Sequence, residues 1–195
     1  MPSHGQTVNI LIVGVGGQGT LLASKILGQV VLLSGLDVKQ SEVHGMAQRG
    51  GSVVTYVRFA DKVYSPLVEK GQADIVIAFE KLEALRWADY LKPGGTVIVN
   101  DQEIPPTPVI IGAAEYPQDI YERLAATKTK VIRLNGLALA KELGQVKALN
   151  VVLLGVAAKL LNFDRKLWEQ AITDTVPAKV LDVNLKAFAA GWDAF

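Results

Sequence analysis

Asn9–Leu27 reads NILIVGVGGQGTLLASKIL, and the fold follows from the two changes of character inside it. Ile10–Val13 is a short, unbroken apolar run of the kind that a parallel sheet buries on both faces. It gives way to Gly14-Val15-Gly16-Gly17-Gln18-Gly19, where the glycines permit a tight turn and close approach of the backbone. A helix then begins, its turns marked by Leu21, Leu22, Lys25, Ile26 and Val30. Strand, glycine turn and helix form a Rossmann-like βα unit. The start of such a helix carries unpaired N–H groups and the positive end of the helix dipole, which suit a phosphate or another anion.

Gly14, Gly16 and Gly19 satisfy G-x-G-x-x-G in the strand-to-helix context that the motif requires. A dinucleotide site also wants an acidic residue about 20 positions further on. Asp37-Val38-Lys39-Gln40-Ser41 occupies that region, with Lys39 and Gln40 near the expected spot, which argues against NAD. Two readings of the turn stay open. Gly14, Gly16, Gly17, Gln18 and Gly19 hold a ligand, or the glycines simply let the first helix pack tightly on the sheet.

Beyond the first helix, Gly35 is a C-cap and Leu36–Gln40 a short strand. Ser41–Gly51 (SEVHGMAQRGG) has neither a helical nor a strand period. It brings together Glu42, His44, Gln48 and Arg49 between glycines, the composition of a functional loop rather than of a plain surface crossover, which is the alternative. Ser52–Phe59 is a strand, and Val63–Ser65 is a candidate short strand pairing back on it. Asp74–Phe79 is a buried strand leading through Glu80 into a helix over Lys81–Tyr90. Lys92–Gly95 is a turn and Thr96–Asn100 a strand. Asp101–Pro108 holds three prolines and cannot continue a sheet. Pro108–Ile111 reads as a weak strand, Tyr116–Thr127 as a helix, Lys130–Leu134 as a strand and Leu137–Leu143 as a helix. Ala148–Leu161 is apolar almost all round, the mark of a buried helix. Asp164 caps a helix over Arg165–Thr173, and Val180–Phe188 is the last.

Alternating strands and helices predict an α/β fold: a three-layer α/β/α sandwich on a largely parallel or mixed sheet, in one domain of 195 residues. Ligands on such sheets sit beyond the carboxyl ends of the strands. That places Gly14–Gly19 at the site. Glu80 and Asn100 join it if their strands run parallel to the first, Asn100 then being a ligand contact or a turn-forming side chain.

Composition narrows the function. The chain has no cysteine, two histidines and a formal net charge of +1. These numbers speak against a disulfide framework, a catalytic thiol, cysteine-held iron–sulfur clusters or a histidine zinc site on this chain, so no metal ligands are assigned. They also speak against nucleic acid bound through bulk charge. A mean hydropathy of +0.27 with half the residues hydrophobic fits a buried parallel sheet and a surface covered by a partner. The first residues lack a signal-peptide profile and no apolar run spans a membrane, so the expected location is cytoplasmic.

Five segments in order resemble one family: GVGGQG at Gly14–Gly19, SEVHGMAQRGG at Ser41–Gly51, Ala73–Ala78 with KPGGTVIVN at Lys92–Asn100, NVVLLG at Asn150–Gly155, and Val176–Gly191 with Asn184, Phe188 and Gly191. Together they resemble the gamma domain or subunit of the 2-oxoacid:ferredoxin oxidoreductases. His44–Gly51 is most similar to the small (beta) subunit of the indolepyruvate branch. The resemblance implies oxidative decarboxylation of a 2-oxoacid, acyl transfer to coenzyme A and reduction of ferredoxin. It also implies a larger alpha subunit holding thiamine diphosphate, magnesium and [4Fe-4S] clusters. This chain has no cysteine and no Gly-Asp-Gly, so it is expected to be inactive alone. Gly14–Gly19 with Gln48, Arg49 and Asn100 would hold the phosphates of coenzyme A. Glu42, His44 and Gln48 would face the partner's active site. Arg49 is suited to bidentate contact with phosphate or carboxylate, or else pairs with Glu42; His44 contacts substrate or fixes local backbone. A purely structural subunit and a free-standing dinucleotide-binding module are the alternatives.

Overall fold

The computed structural model describes residues 6–45 and 50–195. Its strands are β1 (Val8–Val15), β2 (Asp37–His44), β3 (Ser52–Ala60), β4 (Ala73–Ala78), β5 (Leu91–Asn100) and β6 (Lys130–Leu134). Its helices are α1 (Thr20–Leu33), α2 (Lys81–Arg86), α3 (Thr107–Ile110), α4 (Ile120–Ala125), α5 (Gly136–Glu142), α6 (Leu149–Leu161), α7 (Arg165–Thr175) and α8 (Leu181–Asp193). The strands make one six-stranded sheet in the order β2-β3-β1-β4-β5-β6. β1, β4, β5 and β6 pair in parallel, whereas β3 is antiparallel to both β1 and β2. The sheet is therefore mixed, and every strand but β3 ends at the same edge.

Strand alternation sorts the core into two layers. Ile10, Ile12, Ile75, Ile77 and Ile98 face α1, α5, α6, α7 and α8. Leu11, Val13, Val76, Ala78, Val97 and Val99 face the layer containing Leu82 and Ala84 of α2 and Ile120 and Leu124 of α4. Both faces are covered, so the central strands are apolar without a break. α6 lacks a polar face because its neighbours surround it. Gly155 and Gly191 let α6 and α8 touch backbone to backbone: a Cβ at Gly155 would lie 2.3 Å from the Phe188 carbonyl oxygen. Among the described residues, no helix is long and apolar enough to cross a membrane.

Several elements differ from the sequence expectation. β2 runs on to His44, so Ser41–His44 is strand rather than loop. Its polar residues are held there by pairing with β3, from Asp37↔Ala60 to His44↔Val53, and as an edge strand β2 has no need of an apolar pattern. Val63–Ser65 forms no strand, because β3 already has β1 and β2 on its two edges. Pro108–Ile111 is not a strand either; it falls in and beside α3, whose first turn accepts Pro108. α2 stops at Arg86 and a 3-10 turn, Ala88–Tyr90, completes the segment. α4 is shorter, and α8 longer, than read. Lys92–Gly95 lies within β5, as an irregularity in its register against β4.

Asp37 ties the segment after β3 to the sheet edge. Its carboxylate accepts from Lys39 Nζ at 2.7 Å and from the Val63 N–H at 3.0 Å. The hydrogen bond from Lys39, helped by the Val63 N–H, lowers its pKa to about 2. A carboxyl lowered on folding stabilises the native state above its unfolded value of about 3.9, and that stabilisation is lost as pH falls through the folded value. Asp37→Asn is thus expected to be less stable than the parent chain at neutral pH, with the gap closing between about pH 4 and pH 2. Urea midpoints measured across that range check it.

Candidate functional site: a cavity between the glycine turn and strand β2

The start of α1 is left open. Gly19 stands at its N-cap in the left-handed region (φ 87°), with no side-chain cap and no acidic residue in the first turn. The first N–H groups of this 14-residue helix therefore keep their capacity for an outside acceptor. Gly19 is placed from the far side by Asn150 of α6, whose Nδ2 donates to the Gly19 carbonyl at 3.2 Å. Gly17 also has a positive φ, of 104°. Gln18 closes the turn on itself: its Oε1 accepts from the Val15 N–H at 2.8 Å, and its Nε2 donates to the Phe79 carbonyl at 3.0 Å.

The turn is zipped to the root of the Gly45–Gly51 segment. The Gly16 N–H donates to the Gly51 carbonyl at 2.8 Å, and the Gly16 carbonyl accepts from the Gly50 N–H at 3.3 Å. The β1–β3 ladder thus continues past Val15↔Ser52. On the other wall, the register Glu42↔Thr55↔Ile12 and His44↔Val53↔Gly14 puts Glu42 and His44 on the face that α1 covers. Between the walls lies a cavity of about 430 Å³ lined by Gly16, Gly17, Gly19, Thr20, Leu21, Glu42, His44 and Val53. Glu42 accepts from buried Thr55 Oγ1 at 3.4 Å, and His44 Nδ1 lies 3.1 Å from the Gly45 carbonyl oxygen.

Of the residues singled out from sequence, the structure brings Gly16, Gly17, Gly19, Glu42 and His44 into one cavity. Gln48 and Arg49 lie outside the described residues. Gly14, Gln18 and Asn100 are differently engaged. Gly14 has no room for a side chain, since a Cβ would meet Gln18 Oε1 at 2.9 Å and Phe79 Cβ at 3.1 Å. Gln18 is a strut of the turn. Asn100 ends at the expected sheet edge, because β5 is parallel to β1 through β4, but it is fully buried. Its Nδ2 donates to the Phe79 carbonyl at 3.0 Å and to Gln102 Oε1 at 3.1 Å, and its Oδ1 accepts from the Gly136 N–H at 3.1 Å. Asn100 therefore ties β4, β5 and α5 together, and the ligand contact expected of it gives way to that role.

Glu80 reaches the same edge on the opposite face of the sheet. It is buried and caps α2 through the Glu83 N–H at 2.9 Å. It also accepts from the Ile104 N–H at 3.1 Å and from the Tyr116 hydroxyl. Burial, reinforced by the Glu80 carboxylate, pushes the Tyr116 phenol well above its ordinary range, so it stays a donor. Sequence reading missed Asn150, Thr55 and Glu83 as parts of this edge. A lone asparagine in an apolar helix was a usable signal for Asn150. The Glu80-x-x-Glu83 spacing, like a capping box, was one for Glu83.

An open helix start for an anion, a carboxylate for N–H or O–H groups and an imidazole make a small polar cleft at the ligand-binding edge of an α/β sheet. The class is that of Rossmann-like sheets with a glycine turn. Residues 9–194 match the family model for pyruvate ferredoxin/flavodoxin oxidoreductase, and the chain belongs to that family. It is 44% identical over 188 residues to the indolepyruvate oxidoreductase subunit IorB of Pyrococcus horikoshii, covering 94% of this chain and 93% of the relative. Among solved structures, the gamma subunit of a keto/oxoacid ferredoxin oxidoreductase from Geobacter sulfurreducens superposes with a TM-score of 0.72 at 24% identity, over 95% of this chain and 96% of that one. The 2-oxoglutarate:ferredoxin oxidoreductase from Magnetococcus marinus, solved with 2-oxoglutarate, coenzyme A and succinyl-CoA bound, superposes at 0.75 and 20% identity, over 96% of this chain and 31% of that one. These two likenesses are likenesses of fold.

Proposed function

We propose that this chain is the cluster-free small subunit of a 2-oxoacid:ferredoxin oxidoreductase of the indolepyruvate type. The complex decarboxylates an aryl pyruvate oxidatively, passes the acyl group to coenzyme A and reduces ferredoxin. It works in the cytoplasm. The reading is carried by identity of 44% along nearly the whole chain to an indolepyruvate oxidoreductase subunit. With no cysteine and no Gly-Asp-Gly in the sequence, the [4Fe-4S] clusters and the magnesium-bound thiamine diphosphate belong to a larger partner subunit. The apolar balance of the chain suits a surface closed by that subunit.

Within the complex, the cavity between Gly16–Gly19 and Glu42/His44 completes the coenzyme A or acyl-transfer site. Coenzyme A supplies the thiol that accepts the acyl group. The residues present fit its chemistry. The uncapped start of α1 suits a phosphate, the glycines at Gly17 and Gly19 keep side chains away from it, and Glu42 accepts from an amide or hydroxyl. His44 adds a ring nitrogen for a hydrogen bond at the mouth. Arg49 and Gln48, five and four residues beyond His44 in sequence, add a cation and an amide to the same site.

Anaerobic purification of the chain from its host, followed by indolepyruvate-dependent ferredoxin reduction, tests the assignment. The expected product is a brown complex containing a large cysteine-rich chain. In that complex, His44→Ala and Arg49→Ala should each raise KM for coenzyme A about tenfold or more, as for a lost hydrogen bond to a charged group, and leave assembly intact. An unchanged KM in both variants would reduce the chain to a scaffold. A colourless chain that purifies alone and binds NAD would make it a dinucleotide-binding module instead.

A further inference from the structure

The cavity lies on the α1 face of the sheet, and a buried carboxylate holds its far corner from the opposite face. Glu83 of α2 is 1% exposed. One of its oxygens accepts from Arg86 Nη1 at 2.6 Å, the other from Ser52 Oγ at 2.5 Å. Ser52 is the first residue of β3. It follows directly on Gly50 and Gly51, which exchange hydrogen bonds with Gly16 of the glycine turn. Ser52 pairs with Val15, so its side chain points away from the cavity while Val53 lines it.

We propose that Glu83, acting through Ser52, is a positioning residue that latches Gly50 and Gly51 against the glycine turn and so fixes Gly16 in the wall of the cavity. The inference rests on the reading of the cavity as the acyl-acceptor site. Its physical basis is a mismatch between cost and local need. A carboxylate is expensive to bury unless all its oxygens are bonded. An acidic residue in the first turn suits the start of α2, but that does not require Glu83 to be buried. The Arg86 pair satisfies one oxygen within the helix. The second oxygen reaches 31 residues back along the chain to a single hydroxyl, located at the start of β3 directly after Gly50 and Gly51. Glu83 and Gly16 together therefore hold Gly50 and Gly51 at the start of β3.

The test uses the assembled complex and two readouts. In Ser52→Ala, amide exchange at Gly16 and Gly50 is expected to accelerate about tenfold, because a hydrogen bond to a charged group has gone from the root. KM for coenzyme A should rise by a similar factor, with kcat and assembly near those of the parent. Ser52→Thr keeps the hydroxyl and should restore both, whereas a purely structural role would lower thermal stability without splitting KM from kcat. Unchanged exchange in Ser52→Ala, or a Ser52→Thr variant that behaves like it, would overturn the latch. Faster exchange with an unchanged KM would leave the latch standing and overturn the reading of the cavity.

Discussion

Alanine at Gly191 is expected to cost the chain about 3 kcal/mol or more, the upper end for overpacking a filled core. A Cβ there would lie 1.9 Å from the Val152 carbonyl oxygen and 2.8 Å from its carbon. Those atoms are backbone of α6 and cannot rotate aside, so α8 must move outward. Phe188, stacked on Trp168 at 5.9 Å, moves with it, and so does Trp192. The sign is the informative part. In a solvent-facing helix Gly→Ala stabilises by up to about 1 kcal/mol through helix propensity. For a chain of this size, a loss of about 3 kcal/mol lowers Tm by roughly 6–12 °C. Thermal unfolding of the Gly191→Ala chain checks it; a Tm equal to or above the parent's would mean that α6 and α8 do not cross at Gly155 and Gly191.

Gly19→Ala is the second large effect, and it acts on the cavity as well as on stability. Gly19 has φ 87°, and a Cβ would stand 2.7 Å from Asn150 Nδ2. Holding alanine in the left-handed region costs about 1–2 kcal/mol. Displacing Asn150 removes its hydrogen bond to the Gly19 carbonyl, about 1 kcal/mol more. The expected loss is therefore about 2–3 kcal/mol, with a KM for coenzyme A in the assembled enzyme raised about tenfold or more as the start of α1 shifts. Gly17→Ala is the natural control. It shares the positive φ, of 104°, but has open space around it, so it should lose only the backbone term. Equal stability losses in the two variants would show that Asn150 does not position the turn.

These expectations separate two kinds of residue that sequence alone runs together. Gly14, Gly16, Gly17, Gln18 and Gly19 share one motif, yet Gly16, Gly17 and Gly19 line the cavity while Gly14 and Gln18 brace it. The motif encodes a turn and says nothing about which side of the turn faces the cavity. Asn100 shows the same limit from another direction. Its place at the end of a strand was legible, but its burial depends on α5 arriving 36 residues later with a backbone N–H to satisfy. Glu42 and His44 were picked out by composition as members of a loop. Their alternate spacing acquires meaning only when β3 pairs with β2 and turns both toward α1.

By itself the sequence determined the α/β alternation, the glycine turn opening α1, the apolar strands and the buried character of α6. Each rests on local periodicity or on backbone freedom, which neighbouring residues specify. The cysteine-free composition likewise rules out a cysteine-held cluster on these 195 residues. Tertiary structure alone decided that β3 runs against its neighbours and that Ser41–His44 is strand. It also decided that the cavity lies between α1 and β2, and that Glu83 and Asn150 hold its corners from elements distant in sequence. Those outcomes depend on which edges and faces meet, and a polar side chain acquires its role there from a partner that no local pattern names.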